Sequence, residues 1–375
     1  MAGPTLDFAL SEQQEDLRGL AKQILEKELT AERIKEIERA DGFARATWSA
    51  FAAAGLLGVA VPEAHGGLGL GFLDLCVVLE EVGRAVAPIP AVTTLTTALA
   101  VDHFGGVDLA GRLLPGVTDG SVVLTSALEE FDAPASAPAV RAAAASEGYV
   151  LDGVKTGVAY AVHADAILVS ARATDGIVLA FVSRDASGVT LEDQISENLQ
   201  PQSLLTLENV AVAPSDVLIA GAAGAAALDW LIARTTVALC AVATGVAEAA
   251  LRITAEYTTT RKQFDRAIGT FQAVGQRLAD AYIDRQAIEL TMLQAASHLD
   301  EGREVPAEVY TAKYWASEGG SRIGHAALHV HGGVGIDVDY PIHRYFLWAK
   351  QIEFTLGAAT PSLVALGRHL ADTPA

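Results

Sequence analysis

Two stretches decide the reading of this chain: residues 261–272, RKQFDRAIGTFQ, and residues 329–335, HVHGGVG. The first sets Arg261 and Lys262 at the end of a long apolar helix pattern and closes on Phe271 and Gln272. The second is a glycine-rich turn that follows another helix pattern. Such segments suit a diphosphate, because guanidinium forks grip phosphate oxygens and glycines let backbone N–H groups come close. The plainer alternative is an Arg-Lys pair that answers the dipole at a helix end.

Working outward, the 375 residues are enough for two or three domains with a sizeable core, and 51% of them are apolar, which argues against disorder. Lys plus Arg total 26 against 46 Asp plus Glu, a net charge of −20. That balance argues against nucleic acid and against anionic membrane, so an anionic ligand needs a local basic group such as Arg261/Lys262/Arg266. Cys76 and Cys240 lie in apolar segments, as buried free thiols of a reducing compartment do. The N-terminus has no basic run before an apolar one, and the apolar run at 237–247 is too short to span a bilayer. A cytoplasmic protein is expected.

Along the chain, Ser11 and Gln14 form a capping box that opens a helix with Leu17, Leu20, Ile24 and Leu25 on one face. Helical patterns follow over 48–57, 72–86 and from Ala91, with HGGLGLG at 65–71 read as an irregular connection. From Ser121 to about Ile219 the pattern becomes short β runs: 149–151, 166–170, 177–182, 189–191, 204–207 and 210–212. No helical pattern separates them, so an antiparallel sheet or small barrel is expected. Residues 129–145 read as a poorly specified loop. Beyond Ala225 the patterns are helical over 225–257, 272–299, 306–330 and 361–370, which favours an up-down bundle. On adjacent helix positions, Glu80 and Glu81 read as a solvated helix end or as an ion pair with Arg84.

The string R-K-Q-F-x-R-x-I-G-x-F-Q, followed by H-G-G-x-G and the run Tyr340-Pro341-Ile342-His343-Arg344-Tyr345, resembles the C-terminal domain of acyl-CoA dehydrogenases. Val61-Pro62-Glu63 with Gly66-Gly67 and Gly69, then Leu79 to Arg84, resembles the N-terminal counterpart. The resemblance covers nearly the whole chain. It implies an α+β, mostly α fold: an N-terminal helical domain at 1–118, a middle antiparallel β domain at 119–224, and a C-terminal four-helix bundle at 225–375. It also implies FAD as cofactor, with Arg261, Gln263 and Phe264 in contact and Ile268 and Phe271 packing nearby. His329, Gly332 and Gly333 would belong to the second loop. His329 stands where a glutamine is common, and Asp265 replaces a usual glycine.

The resemblance implies α,β-dehydrogenation of an acyl-CoA, in which a shielded carboxylate removes the α-proton while FAD takes hydride from the β-carbon. Here the two family base positions carry Leu356 and Thr235, so no catalytic residue is assigned. The flavin-ring motifs of the middle domain are reduced to Thr125 in one loop and to Gly157-Val158-Ala159-Tyr160 in the other. The chain therefore resembles the base-lacking subunit of α2β2 actinobacterial steroid-type enzymes. In that reading a homologous base-bearing subunit is its partner, the acyl-CoA is held mainly by that partner, and an electron-transfer flavoprotein is a further partner. The alternatives are a self-sufficient homotetramer using a relocated base such as Glu353, and an FAD-free scaffold subunit. A hydrolase is rejected because no G-x-S-x-G elbow is present, and no metal site is read at His325, His329 and His331 because H-E-x-x-H is absent.

Overall fold

The structure, a computed structural model, describes residues 8–372. The expectation drawn from the first seven residues lies outside the described ones. The chain divides into two compact units: Met1–Ala31, Phe72–Ala87 and Thr236–Ala375 form the first, and Glu32–Gly71 with Pro88–Thr235 the second.

In the first unit, α1 (Glu12–Glu28) opens on the Ser11 capping box, with Ser11 and Gln14 each accepting the other's backbone N–H. Its buried stripe is Leu17, Ala21 and Leu25, while Leu20, expected on that face, is 38% exposed. The correction follows from the 3.6-residue period: Ala21 sits one turn from both Leu17 and Leu25, and Leu20 falls beside the stripe. α1 packs on α4 (Phe72–Arg84), which packs on α8 (Gln272–Asp300). α8, α10 (Ile342–Phe354) and α11 (Ala359–Asp372) all lie against α9 (Pro306–His331). The helical expectation beyond Ala225 therefore holds, and α10 joins the four helices read from periodicity.

α7 (Gly224–Thr260) begins in the second unit and continues into the first. It is long and apolar enough to cross a membrane, yet 78% of its most apolar window is buried inside the protein, as in a core helix. Its crossing with α4 is set by two glycines: a Cβ on Gly83 would collide with the Val242 carbonyl, and one on Gly245 with the Glu80 carbonyl. Beside that crossing Glu80 and Glu81 are 3% and 2% exposed, so they are not a solvated helix end. They are buried against Arg84 and Arg18: Arg84 donates to Glu80 at 2.6 Å and to Glu81 at 3.0 Å, Arg18 to Glu80 at 3.3 Å, and Arg84 also pairs with Glu248. Burial raises the Glu81 pKa, and the Arg84 charge and hydrogen bond pull it back only in part.

The second unit holds α2 (Ala31–Arg39), α3 (Arg45–Ala53), α5 (Ala91–Phe104), α6 (Gly106–Thr118) and the β region. Its strands are β1 (Leu124–Ala127), β2 (Arg141–Ala144), β3 (Tyr149–Ala159), β4 (Ala166–Ala173), β5 (Gly176–Val182), β6 (Val189–Gln194), β7 (Gln202–Val212) and β8 (Val217–Ile219). They form one eight-stranded sheet in the order β6-β7-β3-β2-β4-β5-β8, with β1 on β4. The pairings are antiparallel except that β1 and β2 run parallel to β4, which the long intervening chain permits. Leu151, Ile167, Val169, Leu205 and Val210 centre its core. β2 lies inside the stretch read as a loop; it gains its order from β3 and β4, and the Glu130 carboxylate accepts the N–H groups of Ala139 and Val140. Both cysteines are buried and free.

Gly245→Val should destabilise the protein by about 1–3 kcal/mol, because neither helix backbone can yield without losing the crossing. A urea midpoint equal to the wild type's would show that the close approach is not needed.

Candidate functional site

The first stretch begins where α7 ends. Thr258, Thr259 and Thr260 turn their hydroxyls back onto the Ala255, Glu256 and Tyr257 carbonyls, adding hydrogen bonds to acceptors of the last helical turn. A small hairpin follows, β9 (Lys262–Gln263) against β10 (Arg266–Ala267), with Arg266 opposite Gln263. Its two turn residues, Phe264 and Asp265, have φ of 52° and 64°, as a type I′ turn requires. Asp tolerates that region and explains how the chain manages without the usual glycine, whereas Phe264 occupies it under strain. Phe264 is 88% exposed and lies edge-to-face with Phe271, at 6.2 Å between ring centres. The Arg266 guanidinium lies over Phe271 at 4.1 Å. Arg261, Lys262 and Gln263 are exposed, Ile268 and Phe271 half-buried, and Ile268 N–H donates to the Arg261 carbonyl. α8 starts immediately afterwards with no side chain capping its first N–H groups.

The second stretch closes α9. Gly332 has φ 61° and ψ −137°, a conformation reserved for glycine. A Cβ on Gly332 or Gly333 would meet nothing within 4 Å, so the surface there is left open by the chain's own atoms. Two contacts bring this loop to the hairpin's end of the helices. The buried His331 ring stacks on Tyr257 of α7 at 4.3 Å, and the exposed His329 accepts from Arg277 of α8 at 2.7 Å. His331 Nδ1 donates to the Ala327 carbonyl, which leaves Nε2 as a buried acceptor with no partner. All eight residues expected at the cofactor thus lie on this hairpin, on the segment that leads into α8, or on the α9 terminus. Sequence reasoning missed Arg277 and Tyr257, which carry no local motif and are recognised only through the helices they join.

The two positions that the resemblance assigns to the base, Leu356 and Thr235, offer no proton acceptor. Leu356 follows the end of α10 with φ 56°, and the half-buried Glu353 beside it is paired with Lys350 at 2.6 Å. The fully buried Lys313 donates to the last carbonyls of α10, which ties down this helix end. In the second unit the buried Thr235 hydroxyl donates to Thr96.

The middle-domain positions are also satisfied internally. Thr125 is fully buried and donates to the Ala159 carbonyl at 2.6 Å beside Thr93. Gly157 sits in a bulge with φ 61°, and its N–H donates to Gln194 Oε1 at 2.8 Å. At the end of this strand Tyr160 is buried and accepts from Gln200, and burial pushes its hydroxyl pKa well up. Against an FAD, the helix-terminal set fits: guanidinium groups, open glycine backbone and one unpartnered buried acceptor suit phosphates and a donor-bearing edge. The ring-contact set does not fit, because its donors are already engaged.

The chain matches the acyl-CoA dehydrogenase N-terminal domain over residues 11–121 and the acyl-CoA dehydrogenase C-terminal domain over residues 222–370. It is 39% identical to acyl-CoA dehydrogenase FadE27 of Mycobacterium tuberculosis, over 99% of this chain and 100% of that protein. Among solved structures, a variant of the Tcur3481-Tcur3483 steroid acyl-CoA dehydrogenase superposes with a TM-score of 0.92 at 44% identity, covering 96% of this chain and 98% of that one. The ChsE4-ChsE5 complex from Mycobacterium tuberculosis gives 0.94 at 39% identity, covering 99% and 100%. The chain belongs to the acyl-CoA dehydrogenase family of FAD-dependent oxidoreductases.

Burial lowers the His331 pKa below its ordinary 6.5, and the Ala327 hydrogen bond offsets this only in part. A depressed folded-state value means that its contribution to stability is present above 6.5 and is lost as pH falls. Stability should therefore decline more steeply below pH 6.5 in the wild type than in His331→Asn. Parallel declines in the two proteins would refute the assignment.

Proposed function

We propose that this chain is a non-catalytic subunit that completes the FAD site of a homologous, base-bearing acyl-CoA dehydrogenase. The observation that carries this reading is a division within the chain. Both base positions hold residues that cannot take a proton, while the cationic hairpin and the glycine loop stand exposed at one end of the helices. FAD, when bound, supplies the hydride acceptor for α,β-dehydrogenation.

This chain's own residues would bind and orient. Arg261 and the backbone of Gly332 and Gly333 would hold phosphate oxygens, with Gln263 and His329 as further donors. Phe264 and Phe271, with Ile268, would cover apolar surface. The α-proton would be taken by the partner's carboxylate, and the partner would hold most of the acyl-CoA. The identities with chains of the steroid acyl-CoA dehydrogenase and the ChsE4-ChsE5 complex support a heteromeric assembly and a steroid side-chain CoA ester as the substrate class. The division at 118/119 and 224/225, a cytoplasmic setting and delivery of electrons to an electron-transfer flavoprotein belong to the same proposal. The pairing of Glu353 with Lys350 argues against Glu353 as a relocated base.

Expressed alone, the chain should be colourless and inactive, and it should gain flavin and activity on co-expression with a base-bearing homologue. A yellow homotetramer that oxidises an acyl-CoA would overturn the reading. In the assembled complex Arg261→Ala should lower the flavin-to-protein ratio; unchanged occupancy would rule out the cofactor-completing role. Glu353→Gln should leave turnover of the complex unaltered, and Leu356→Glu should not make the isolated chain a dehydrogenase. Loss of turnover in the first, or appearance of it in the second, would count against the division of labour.

A further inference from the structure

His329 and His331 lie on one turn of α9, yet their partners force opposite tautomers. The His331 ring meets a carbonyl at 2.8 Å, so its Nδ1 carries the proton. The His329 Nδ1 meets the Arg277 guanidinium at 2.7 Å. A guanidinium has five donors, no acceptor, and does not lose its proton at any physiological pH. His329 Nδ1 must therefore be the bare acceptor, and the ring's one proton lies on Nε2. Arg277 forms no ion pair with a carboxylate among the described residues, although the chain holds 46 Asp and Glu. Both residues are exposed, on the second turn of α8 and the last turn of α9, so their contact closes no core.

We propose that Arg277 is a positioning residue for the cofactor site: its guanidinium holds His329 as the Nε2–H tautomer, so that the imidazole presents a donor to an acceptor atom of the bound dinucleotide. This rests on the reading of the hairpin and glycine loop as an FAD site. It accounts for a histidine where a glutamine is common. A carboxamide always carries N–H donors, whereas a neutral imidazole has one N–H that either nitrogen can hold, so engaging Nδ1 as an acceptor keeps the donor at Nε2. Arg277 supplies that engagement from the neighbouring helix.

The test uses the complex co-expressed with its base-bearing partner and measures the FAD dissociation constant, by flavin fluorescence, in four variants. Arg277→Met should weaken FAD binding by about tenfold, the scale of one charge-assisted hydrogen bond. His329→Gln should bind nearly as well as the wild type, because the amide needs no tautomer set for it. The double variant Arg277→Met/His329→Gln should match His329→Gln, so the glutamine rescues the loss. A double variant as weak as Arg277→Met alone would overturn the proposal, since Arg277 would then act through charge or fold. Unaltered binding in Arg277→Met would overturn it too. Arg261→Ala separates the two levels: if it leaves FAD binding intact, the site itself is misread, and if it weakens binding while rescue fails, only the role of Arg277 falls.

Discussion

The backbone contact between α4 and α7 constrains the first unit more than any other interaction. Gly83 and Gly245 bring the two helices so close that each carbonyl occupies the space a side chain would need. Such a crossing leaves little room for water, and the side chains at its margin are buried whatever their polarity. Glu80, Glu81, Arg84 and Glu248 meet there, and Arg18 reaches them from α1. Buried ion pairs of this kind contribute little net stability but penalise any arrangement that leaves one charge alone. They therefore act on register: α1, α4 and α7 can slide only by breaking the whole set. Tyr345 of α10 adds a hydrogen bond to the Arg84 carbonyl, which extends the same register to the helices around α9.

That register is what makes the exposed helix ends useful. The hairpin has only two residues in each strand, too few to hold a shape independently. Its position comes from α7 before it and α8 after it, with Tyr257 and His331 joining α7 to α9. The strained, solvent-facing Phe264 and the open backbone at Gly332 contrast with the middle domain, where Thr125 and Gly157 direct their hydrogen bonds to the chain itself. One set leaves its surface open, and the other directs its hydrogen bonds inward.

Much of the helical architecture was legible because it is local. The Ser11–Gln14 box and the apolar periods of α8 and α9 all act within a few residues. What was not legible depended on partners far along the chain. β2 is ordered by β3, β4 and the Glu130 carboxylate. The burial of Glu80 and Glu81 depends on a close crossing that needs Gly245 of another helix as well as Gly83 of their own. The RKQFDRAIGTFQ motif was visible as residues, but Arg277 was not: an isolated arginine on an exposed helix face gives no signal until the fold sets it against His329. Residues 149–151 form a strand as expected, but the strand runs on to Ala159 for a related reason. Asp152-Gly153, a turn signal by composition, is absorbed as an irregularity within the continuous strand β3.

The order of the segments in the chain has a kinetic consequence. The first unit draws on three separated stretches, and the last of them begins only at Thr236. During synthesis, α4 emerges with Leu75, Cys76, Val78, Leu79 and Val82 on the face it will bury, and α7 and α8 do not yet exist to cover it. The second unit, drawn from Glu32–Gly71 and Pro88–Thr235, is complete far earlier. The nascent chain must therefore carry an apolar helix with two glutamates awaiting burial until its final third is made. Non-local closure of this kind slows folding and lengthens exposure to aggregation. Expression temperature and chaperone supply should therefore govern the yield of this chain more strongly than its final stability does.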